Sequence, residues 1–150
     1  MSVPSRRTPG AALHLDAALD LLRLAGTPLP ADEQSPVHLQ ALIDGLVQLS
    51  SRDALIGLPN RRSLELALAR ELDRIARLGE SALLLAVDID YFKRVNDEHG
   101  HASGDAVLRA VGVALAKSVR PMDMVARVGG EEFAILLPNC PVAFGPQVAE

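Results

Sequence analysis

Two adjacent glycines, Gly129 and Gly130, separate two β-rich runs of this chain. The runs are Met122 to Val128 and Phe133 to Leu137. The pair predicts a tight hairpin, because glycine supplies the positive φ that such a turn needs and lets a ligand approach the backbone closely. A third run, Ala82 to Val87, is almost wholly apolar and is typical of a central strand. The chain is therefore expected to fold around a sheet that contains this hairpin.

Carboxylates follow both features. Asp88 and Asp90 come directly after the apolar strand, and Glu131 and Glu132 open the returning strand of the hairpin. If the two strands are antiparallel, Asp88 and Glu131 share one edge, whereas strand alternation turns Glu132 to the other face. Carboxylate oxygens beside a glycine-lined cradle suit a Mg²⁺-bound triphosphate. The alternative is a polar hairpin tip near a strand end with solvated carboxylates.

Four spaced motifs occur together from about residue 51 onwards. They are Asp53-Ala54-Leu55-Ile56-Gly57-Leu58-Pro59-Asn60-Arg61-Arg62, Asp88-Ile89-Asp90-Tyr91-Phe92-Lys93, Asn96-Asp97 with Gly100-His101 and Gly104-Asp105, and Arg127 with Gly129-Gly130-Glu131-Glu132-Phe133. In this order the motifs resemble those of the GGDEF family of diguanylate cyclases, and the resemblance covers roughly residues 51 to 150.

The resemblance implies a fold and an activity. The fold is of the α+β class: an antiparallel-containing sheet flanked by helices, similar to nucleotidyl-cyclase and polymerase palm domains. The activity is condensation of two GTP to cyclic di-GMP and two pyrophosphates by a homodimer, with Mg²⁺ or Mn²⁺ as cofactor. Such an enzyme is expected in the cytoplasm.

The resemblance also assigns residues to the substrate and the metal. Asp88, Glu131 and the carbonyl of Ile89 are the metal ligands it implies, and Glu132 is a weaker catalytic candidate. The remaining residues contact GTP: Gly129 and Gly130 leave room for the nucleotide, while Lys93 and the backbone N–H groups of Tyr91 and Phe92 hold phosphates. An ordinary solvated lysine is the alternative for Lys93.

Asn96 and Asp105 fit recognition of guanine. A carboxylate accepts from the neighbouring N1–H and N2 amine of guanine, and an amide reads a remaining group. Adenine lacks this pair of donors. The alternative is that Asp105 only caps the helix it begins.

A second site is indicated by Arg120 and Asp123, and the second of these residues lies four positions before Arg127. Many diguanylate cyclases carry an Arg-x-x-Asp motif here, where it binds the product and inhibits. Guanidinium stacks on a purine and forks onto its acceptors, while the carboxylate takes its donors. The alternative is an ion pair at the end of a helix.

Residues 1–50 differ from the rest and are interpreted as a helical extension with a linker. We expect helices over Ala11 to Ala25 and Val37 to Ser51, separated by a proline-containing linker from Thr27 to Pro36. The second helix has a short leucine stripe that could pack on its own domain or on a second chain. The stripe is Leu39, Leu42, Leu46 and Leu49.

Further along, the sequence predicts the order helix, strand, helix, hairpin, helix. The first helix is capped by Asn60 or Ser63 and runs to about Leu78. The polar stretch Lys93 to Ser103 is predicted to be a loop, followed by a helix from Asp105 to about Val119. A last helix begins near Ala143. Asp53 is expected to form a structural ion pair with Arg61 or Arg62.

Composition narrows the function classes. The net charge is −4, which argues against a protein that grips nucleic-acid polymers. Apolar residues make up 49% of the chain, enough for a core, but no stretch reaches membrane-spanning length. The single Cys140 excludes an internal disulfide and is expected to be a buried thiol.

The GGDEF domain of the family continues beyond this chain's last residue with further strands, a helix and a basic pair that contacts phosphates. Residues 51–150 are thus expected to be a partial domain that lacks its C-terminal part, and the chain alone to make little cyclic di-GMP. The alternative function is a non-catalytic module that binds cyclic di-GMP through Arg120 and Asp123, or one that serves dimerisation.

Overall fold

The computed structural model describes residues 15–30 and 35–149, with side chains described to residue 147. The chain divides into two compact units, residues 1–49 and 50–150. The helices are α1 (Asp16–Leu24), α2 (Pro36–Ser51), α3 (Arg61–Leu78), α4 (Phe92–His99), α5 (His101–Ser118) and α6 (Gly145–Ala149). The strands are β1 (Ala82–Asp88), β2 (Met124–Arg127) and β3 (Glu132–Pro138), and a 3₁₀ turn spans Val142–Phe144.

The first unit is a pair of helices. Leu22 of α1 and Leu42 of α2 are almost fully buried, and Leu22 lies so close to Gly45 that no Cβ would fit there without a shift. Both predicted helices are found, although residues 1–14 lie outside the described residues. Leu42 of the leucine stripe is thus used inside the unit, while Leu39 and Leu49 remain exposed.

The second unit is built on an antiparallel sheet of order β1-β3-β2. β1 pairs with β3 from Ala82 opposite Pro138 to Asp88 opposite Glu132. Within the described residues β1 lies at one edge of this sheet and β3 lies between its two partners. A central β1 was expected for the family's sheet with its further strands beyond residue 150, and that stays a prediction. Five consecutive residues of β3 are buried, whereas burial along β1 is incomplete, so the central position belongs to β3.

Alternation along β3 divides the core into two layers. Phe133, Ile135 and Leu137 join one cluster with Leu108 of α5, and Ala134 and Leu136 join another with Leu64 of α3. Successive side chains of a strand point to opposite faces, so helices cover the sheet on both sides. The predicted α+β class with an antiparallel sheet flanked by helices is confirmed.

The ends of α3 show how local sequence sets an element. Asn60 is extended at the N-cap, and its side chain accepts a hydrogen bond from the Ser63 amide at 3.1 Å. Gly79 ends the helix in the left-handed conformation at φ 69°, where a Cβ would be costly. Of the two predicted caps, Asn60 is confirmed.

The predicted loop from Lys93 to Ser103 was wrong. It contains α4 and the start of α5, with Gly100 between them at φ 80°. Buried Phe92 and an Arg94–Glu98 pair one turn apart support α4 in spite of its polar composition. Because α5 begins at His101, Asp105 lies inside the helix and does not cap it.

Cys140 is buried and free, as predicted. Its amide donates to the Ser81 carbonyl at 3.1 Å, and this hydrogen bond joins the end of β3 to the start of β1.

Within the described residues, none of the helices combines the length and the apolar character that a membrane crossing requires.

Candidate active site

The start of β3 meets the end of β1, as the antiparallel pairing requires. Asp88 lies opposite Glu132, and the amide of Ile89 donates to the carbonyl of Glu131 at 3.3 Å. The expected shared edge therefore exists, with Glu131 one step beyond the last paired residues. The register also places Glu132 directly opposite Asp88, so these two side chains lie on the same face of the sheet, and the expectation that Glu132 turns to the other face from Asp88 was wrong.

The carboxylates at this edge are available to a cation. Asp88 and Glu132 are exposed and Glu131 is half-buried. Across residues 15–30 and 35–149, no hydrogen bond or ion pair engages these three carboxylates. The part of the chain that the structure describes contains no group of three or more His, Cys, Asp or Glu side chains arranged for a metal. Two carboxylates and a carbonyl fit Mg²⁺, which uses few protein ligands and takes phosphate oxygens besides.

The two glycines of the hairpin matter for the space that their missing side chains leave and not for an unusual backbone conformation. Neither Gly129 nor Gly130 adopts a positive φ, so that part of the prediction was wrong. Four residues separate the two strands, and hairpin loops of this length are commonly built around a type I turn, whose central residues have negative φ. A Cβ on Gly129 would collide with the Glu132 carboxylate, whereas a Cβ on Gly130 would meet open space. Gly130 thus leaves the backbone open to a ligand.

The residues predicted to hold phosphates surround the start of α4. Tyr91 has φ 58° and an exposed side chain, an unusual conformation for a bulky residue. Lys93 is exposed, but Phe92 is buried in the core and its amide donates to the Ile89 carbonyl at 3.3 Å. That carbonyl keeps a second lone pair for a cation. The first-turn amides of a helix attract anions, so this terminus suits a phosphate.

The two candidates for base recognition come from successive helices. Asn96 lies on α4 and Asp105 on α5, and both are half-buried. Gly104, the neighbour of Asp105, is buried against Asn96, and a Cβ there would collide with Asn96 Oδ1 and lie 3.2 Å from Phe92 Cζ. The absence of a side chain at residue 104 therefore leaves the space that Asn96 occupies.

Arg127 was not assigned a role from the sequence. Its Nη1 donates to both carboxylate oxygens of Asp53 at 3.1 Å, and its guanidinium also contacts the carbonyls of Gly129 and Gly130. The expected partner of Asp53 was wrong, because Arg61 instead pairs with Glu65 on the surface of α3. A pair separated by 74 residues leaves no local signal, although position 127 adjoins the glycine turn.

Arg120 and Asp123 pair with each other at the far end of the sheet. The Asp123 carboxylate accepts hydrogen bonds from Arg120 Nε, from Arg120 Nη2 and from the Arg120 amide. The shortest of them joins Nη2 to Asp123 Oδ1 at 2.7 Å, and Nη2 also donates to the Pro138 carbonyl at 3.0 Å. The Asp123 side chain is 2% exposed and that of Arg120 49%. The two residues border a cavity of about 420 Å³ lined also by Leu137 and Phe144.

This pairing changes the acidity of both groups. Burial raises the pKa of Asp123, but hydrogen bonds from the Arg120 side chain and backbone and its positive charge outweigh burial, so the pKa lies below its ordinary value. The hydrogen bond to Asp123 raises the pKa of Arg120. In this arrangement the ion pair named as the alternative is present, and a ligand that uses Asp123 must first displace Arg120.

Comparison with known proteins identifies the family. A family profile described as "Diguanylate cyclase, GGDEF domain" matches residues 50–150. Diguanylate cyclase DgcP of Pseudomonas aeruginosa is 42% identical over 118 residues, which are 79% of this chain and 18% of that protein. The chain therefore spans under a fifth of that relative's length.

Solved structures are similar as well. The coiled coil and GGDEF domain of DgcB from Caulobacter crescentus, in complex with c-di-GMP, superposes with a TM-score of 0.73 at 28% identity, over 88% of this chain and 66% of that one. Diguanylate cyclase SiaD from Pseudomonas aeruginosa, in complex with its activator SiaC, superposes with a TM-score of 0.66 at 37% identity, over 90% of this chain and 49% of that one.

The Arg120–Asp123 pair predicts a pH-dependent contribution to stability. A carboxyl whose pKa is lower in the folded protein stabilises it fully above its ordinary pKa of 3.8, and this contribution disappears as pH falls through the folded value. Asp123→Asn should therefore lower the melting temperature by a few degrees at pH 7. The difference should stay constant down to about pH 5 and close below about pH 4. Thermal melts of both proteins from pH 7 to 3 measure this difference in melting temperature, and a difference that is unchanged at pH 3 would contradict the prediction.

Proposed function

Because the chain belongs to the GGDEF family, we propose that it is a diguanylate cyclase that condenses two GTP to cyclic di-GMP and two pyrophosphates. One observation supports this most: β1 and β3 pair so that Asp88 lies opposite Glu132, the residue after Glu131, beside a turn that is open at Gly130. A carboxylate edge next to an accessible backbone is the arrangement that a metal-bound triphosphate needs.

Asp88, Glu131 and the Ile89 carbonyl would hold the Mg²⁺ or Mn²⁺. When bound, the cation would polarise the α-phosphate and favour ionisation of a ribose 3′-hydroxyl. Each 3′-hydroxyl attacks the α-phosphorus of the other GTP, and pyrophosphate leaves. Glu132, opposite Asp88, adds negative charge at the same edge and is the weaker catalytic candidate.

The substrate would be held at both of its ends. Lys93 and the amides of Tyr91 and Phe92 are proposed to bind phosphates at the start of α4, with the Phe92 amide leaving its contact to the Ile89 carbonyl. Asn96 and Asp105 are proposed to bind guanine, since no hydrogen bond engages either side chain within the described residues. A half-buried carboxylate without a partner is well suited to the paired donors of guanine.

The reaction needs two subunits, because each subunit presents one GTP. On α2, the residues Leu39, Ile43 and Val47 recur every four positions and are all more than a third exposed. The helix carries one acidic residue, Asp44, and no basic residue other than the buried His38. We propose that these three residues pair with those of a second copy in a homodimer, as the coiled coil in the printed description of the DgcB structure suggests.

The proposed compartment is the cytoplasm, because GTP is a cytoplasmic nucleotide.

A second candidate function is binding of cyclic di-GMP without catalysis. The cavity beside Arg120 and Asp123 supports it, since a guanidinium next to Leu137 and Phe144 can contact both the edge and the face of a purine. The same site in a catalytic protein would serve product inhibition. The two functions are separable, because this cavity adjoins the opposite end of β3 from Glu131.

The metal assignment predicts that the Glu131→Gln variant loses cyclase activity. The amide keeps the shape but removes the charge that holds the cation. The expected loss is at least about a hundredfold, since even residues that only support a metal ligand cost 10–100-fold when changed. The assay measures cyclic di-GMP by chromatography with Mg²⁺ or Mn²⁺, using the protein expressed from its own gene. Glu65→Gln on the surface of α3 is the matched control, and undiminished product from Glu131→Gln would refute the assignment.

The guanine assignment predicts that Gly104→Ala raises the KM for GTP. The new Cβ displaces Asn96, and losing a hydrogen bond of about 1 kcal/mol corresponds to a several-fold weaker interaction. Gly112→Ala is the matched control, because its Cβ would lie 3.2 Å from Leu58 Cδ1 in the core and away from Asn96. Steady-state kinetics and thermal melts of both variants separate the two effects. An unchanged KM in folded Gly104→Ala would contradict the assignment.

The product site predicts binding of cyclic di-GMP in the micromolar range or weaker, about −8 kcal/mol at best, because the ligand must open the Arg120–Asp123 pair. Calorimetry should show heat with the wild type that disappears in Asp123→Ala and persists in Asp73→Ala, a change of an exposed aspartate on α3. A well-folded wild type that binds nothing would show that the product site is absent.

A further inference from the structure

Arg127 is the last residue of β2. Its side chain is mostly buried, with 15% of its surface exposed. No part of the proposed function uses it. Its Nη1 faces the Asp53 carboxylate, and this pairing is the first half of a bridge between two distant segments. Burying a charged group is costly unless it is paired and hydrogen-bonded, so every contact of this side chain bears on why it is there.

The other half of the bridge is the glycine turn itself. Arg127 Nε lies 3.1 Å from the carbonyl oxygens of both Gly129 and Gly130, and Nη2 lies 2.7 Å from the carbonyl of Gly130. One planar side chain therefore accounts for the orientation of two successive carbonyls. Arginine can do this because its five N–H donors form a fixed fork, whereas lysine presents one nitrogen.

Peptide planarity extends this effect to the amides. In a trans peptide the C=O and the following N–H point in opposite directions. When the carbonyls of Gly129 and Gly130 turn towards Arg127, the N–H groups of Gly130 and Glu131 must point away from it. Neither N–H group has a hydrogen-bond partner within residues 15–30 and 35–149. Gly130 is exposed with open space where a Cβ would be, so a ligand can approach this part of the turn.

We propose that Arg127 is a positioning residue that presents the N–H groups of Gly130 and Glu131 to a phosphate oxygen of the nucleotide. The proposal rests on the proposed function, because it assumes that a nucleotide binds at this turn. Adjacent outward N–H groups of a turn form a concavity that binds anions, and they add no charge of their own to a site already rich in carboxylates. Arg127 thus acts on the substrate through the turn and does not touch it.

The contacts of Arg127 with Asp53 and with the glycine turn form a clamp, and Asp53 gives this clamp a second function. Its Oδ1 also accepts from the amides of Leu55 and Ile56 at 3.0 and 3.1 Å, so the carboxylate is fixed by its own loop. Asp53 follows the last residue of α2 by two positions. The position of the turn amides therefore depends on where the chain leaves α2, and the Asp53–Arg127 contact is the link.

Backbone contacts strengthen this link. The Arg127 amide donates to the Pro59 carbonyl at 2.9 Å, and the next residue, Asn60, donates from its side chain to the Ser50 carbonyl at 2.8 Å. The end of α2, the loop after it and the end of β2 are thus joined by hydrogen bonds without a gap. A displacement at Ser50 would be expected to reach the turn through Pro59 and Arg127.

The experiment compares Arg127→Lys and Asp53→Asn with the wild type. Both variants keep a polar side chain at a mostly buried position, and Asp53→Asn retains an acceptor for Leu55 and Ile56. A non-hydrolysable GTP analogue is titrated with Mg²⁺ into each ¹⁵N-labelled protein. In the wild type, the amide resonances of Gly130 and Glu131 should shift on binding. In Arg127→Lys the shifts should be lost and the affinity should fall about tenfold, and Asp53→Asn should change in the same direction by less. Arg61→Lys, an exposed arginine paired with Glu65, is the matched control and should behave as the wild type.

The outcomes separate the inference from the proposed function. Wild-type shifts and affinity in Arg127→Lys would overturn the positioning role while leaving the cyclase proposal intact. A wild type that binds no analogue would overturn the cyclase proposal and the phosphate assignment together. Heteronuclear relaxation of the free proteins tests the clamp by itself. The Gly130 and Glu131 amides should be as ordered as β3 in the wild type and more mobile in Asp53→Asn, and equal order in both would overturn the clamp.

Discussion

The pairing of β3 with strands on both sides is the constraint on which the second unit depends. Five consecutive buried residues of β3 supply side chains to both core layers, one of which includes residues of α4 and α5 and the other a residue of α3. Burying apolar side chains in this way contributes about 1.5–3 kcal/mol for each large residue. Because a shift of one residue would exchange the two faces, the register is strongly specified. The same register fixes Asp88 opposite Glu132, so packing of the core also assembles the carboxylate edge.

Much of this fold could be predicted from the sequence where a signal was strong and local. The apolar run of β1, the glycine hairpin and the capped helix α3 were all recognisable by composition and spacing. The segment Phe92–His99 was not, because its polar residues are those of a loop, and it is helical through one buried phenylalanine and an ion pair. The greater burial of β3 was also beyond local reasoning, since the compositions of two apolar strands do not reveal which of them is more buried.

The candidate site shows the same division. The meeting of the end of β1 with the start of β3, which places Asp88 opposite Glu132, followed from strand direction alone. The open space beside Gly130 followed from its missing side chain. The partner of Asp53 required the tertiary structure, because an arginine 74 residues away competes with two that are nearby. The conformation of the glycines was misjudged for a related reason: the loop is four residues long, and its shape is held by Arg127 and not by positive φ.

Gly100 has a consequence for how a base would be bound. It is at once the last residue associated with α4 and the first associated with α5, so a single left-handed residue joins the two helices. Asn96 on α4 is packed against Gly104 on α5, so the two helices are in contact without any ligand. If Asn96 and Asp105 bind a base as proposed, the helices that carry them are already joined and packed before the base arrives. Binding would then cost little conformational entropy, and selectivity between bases would rest on hydrogen-bond matching, without closure of a flexible loop.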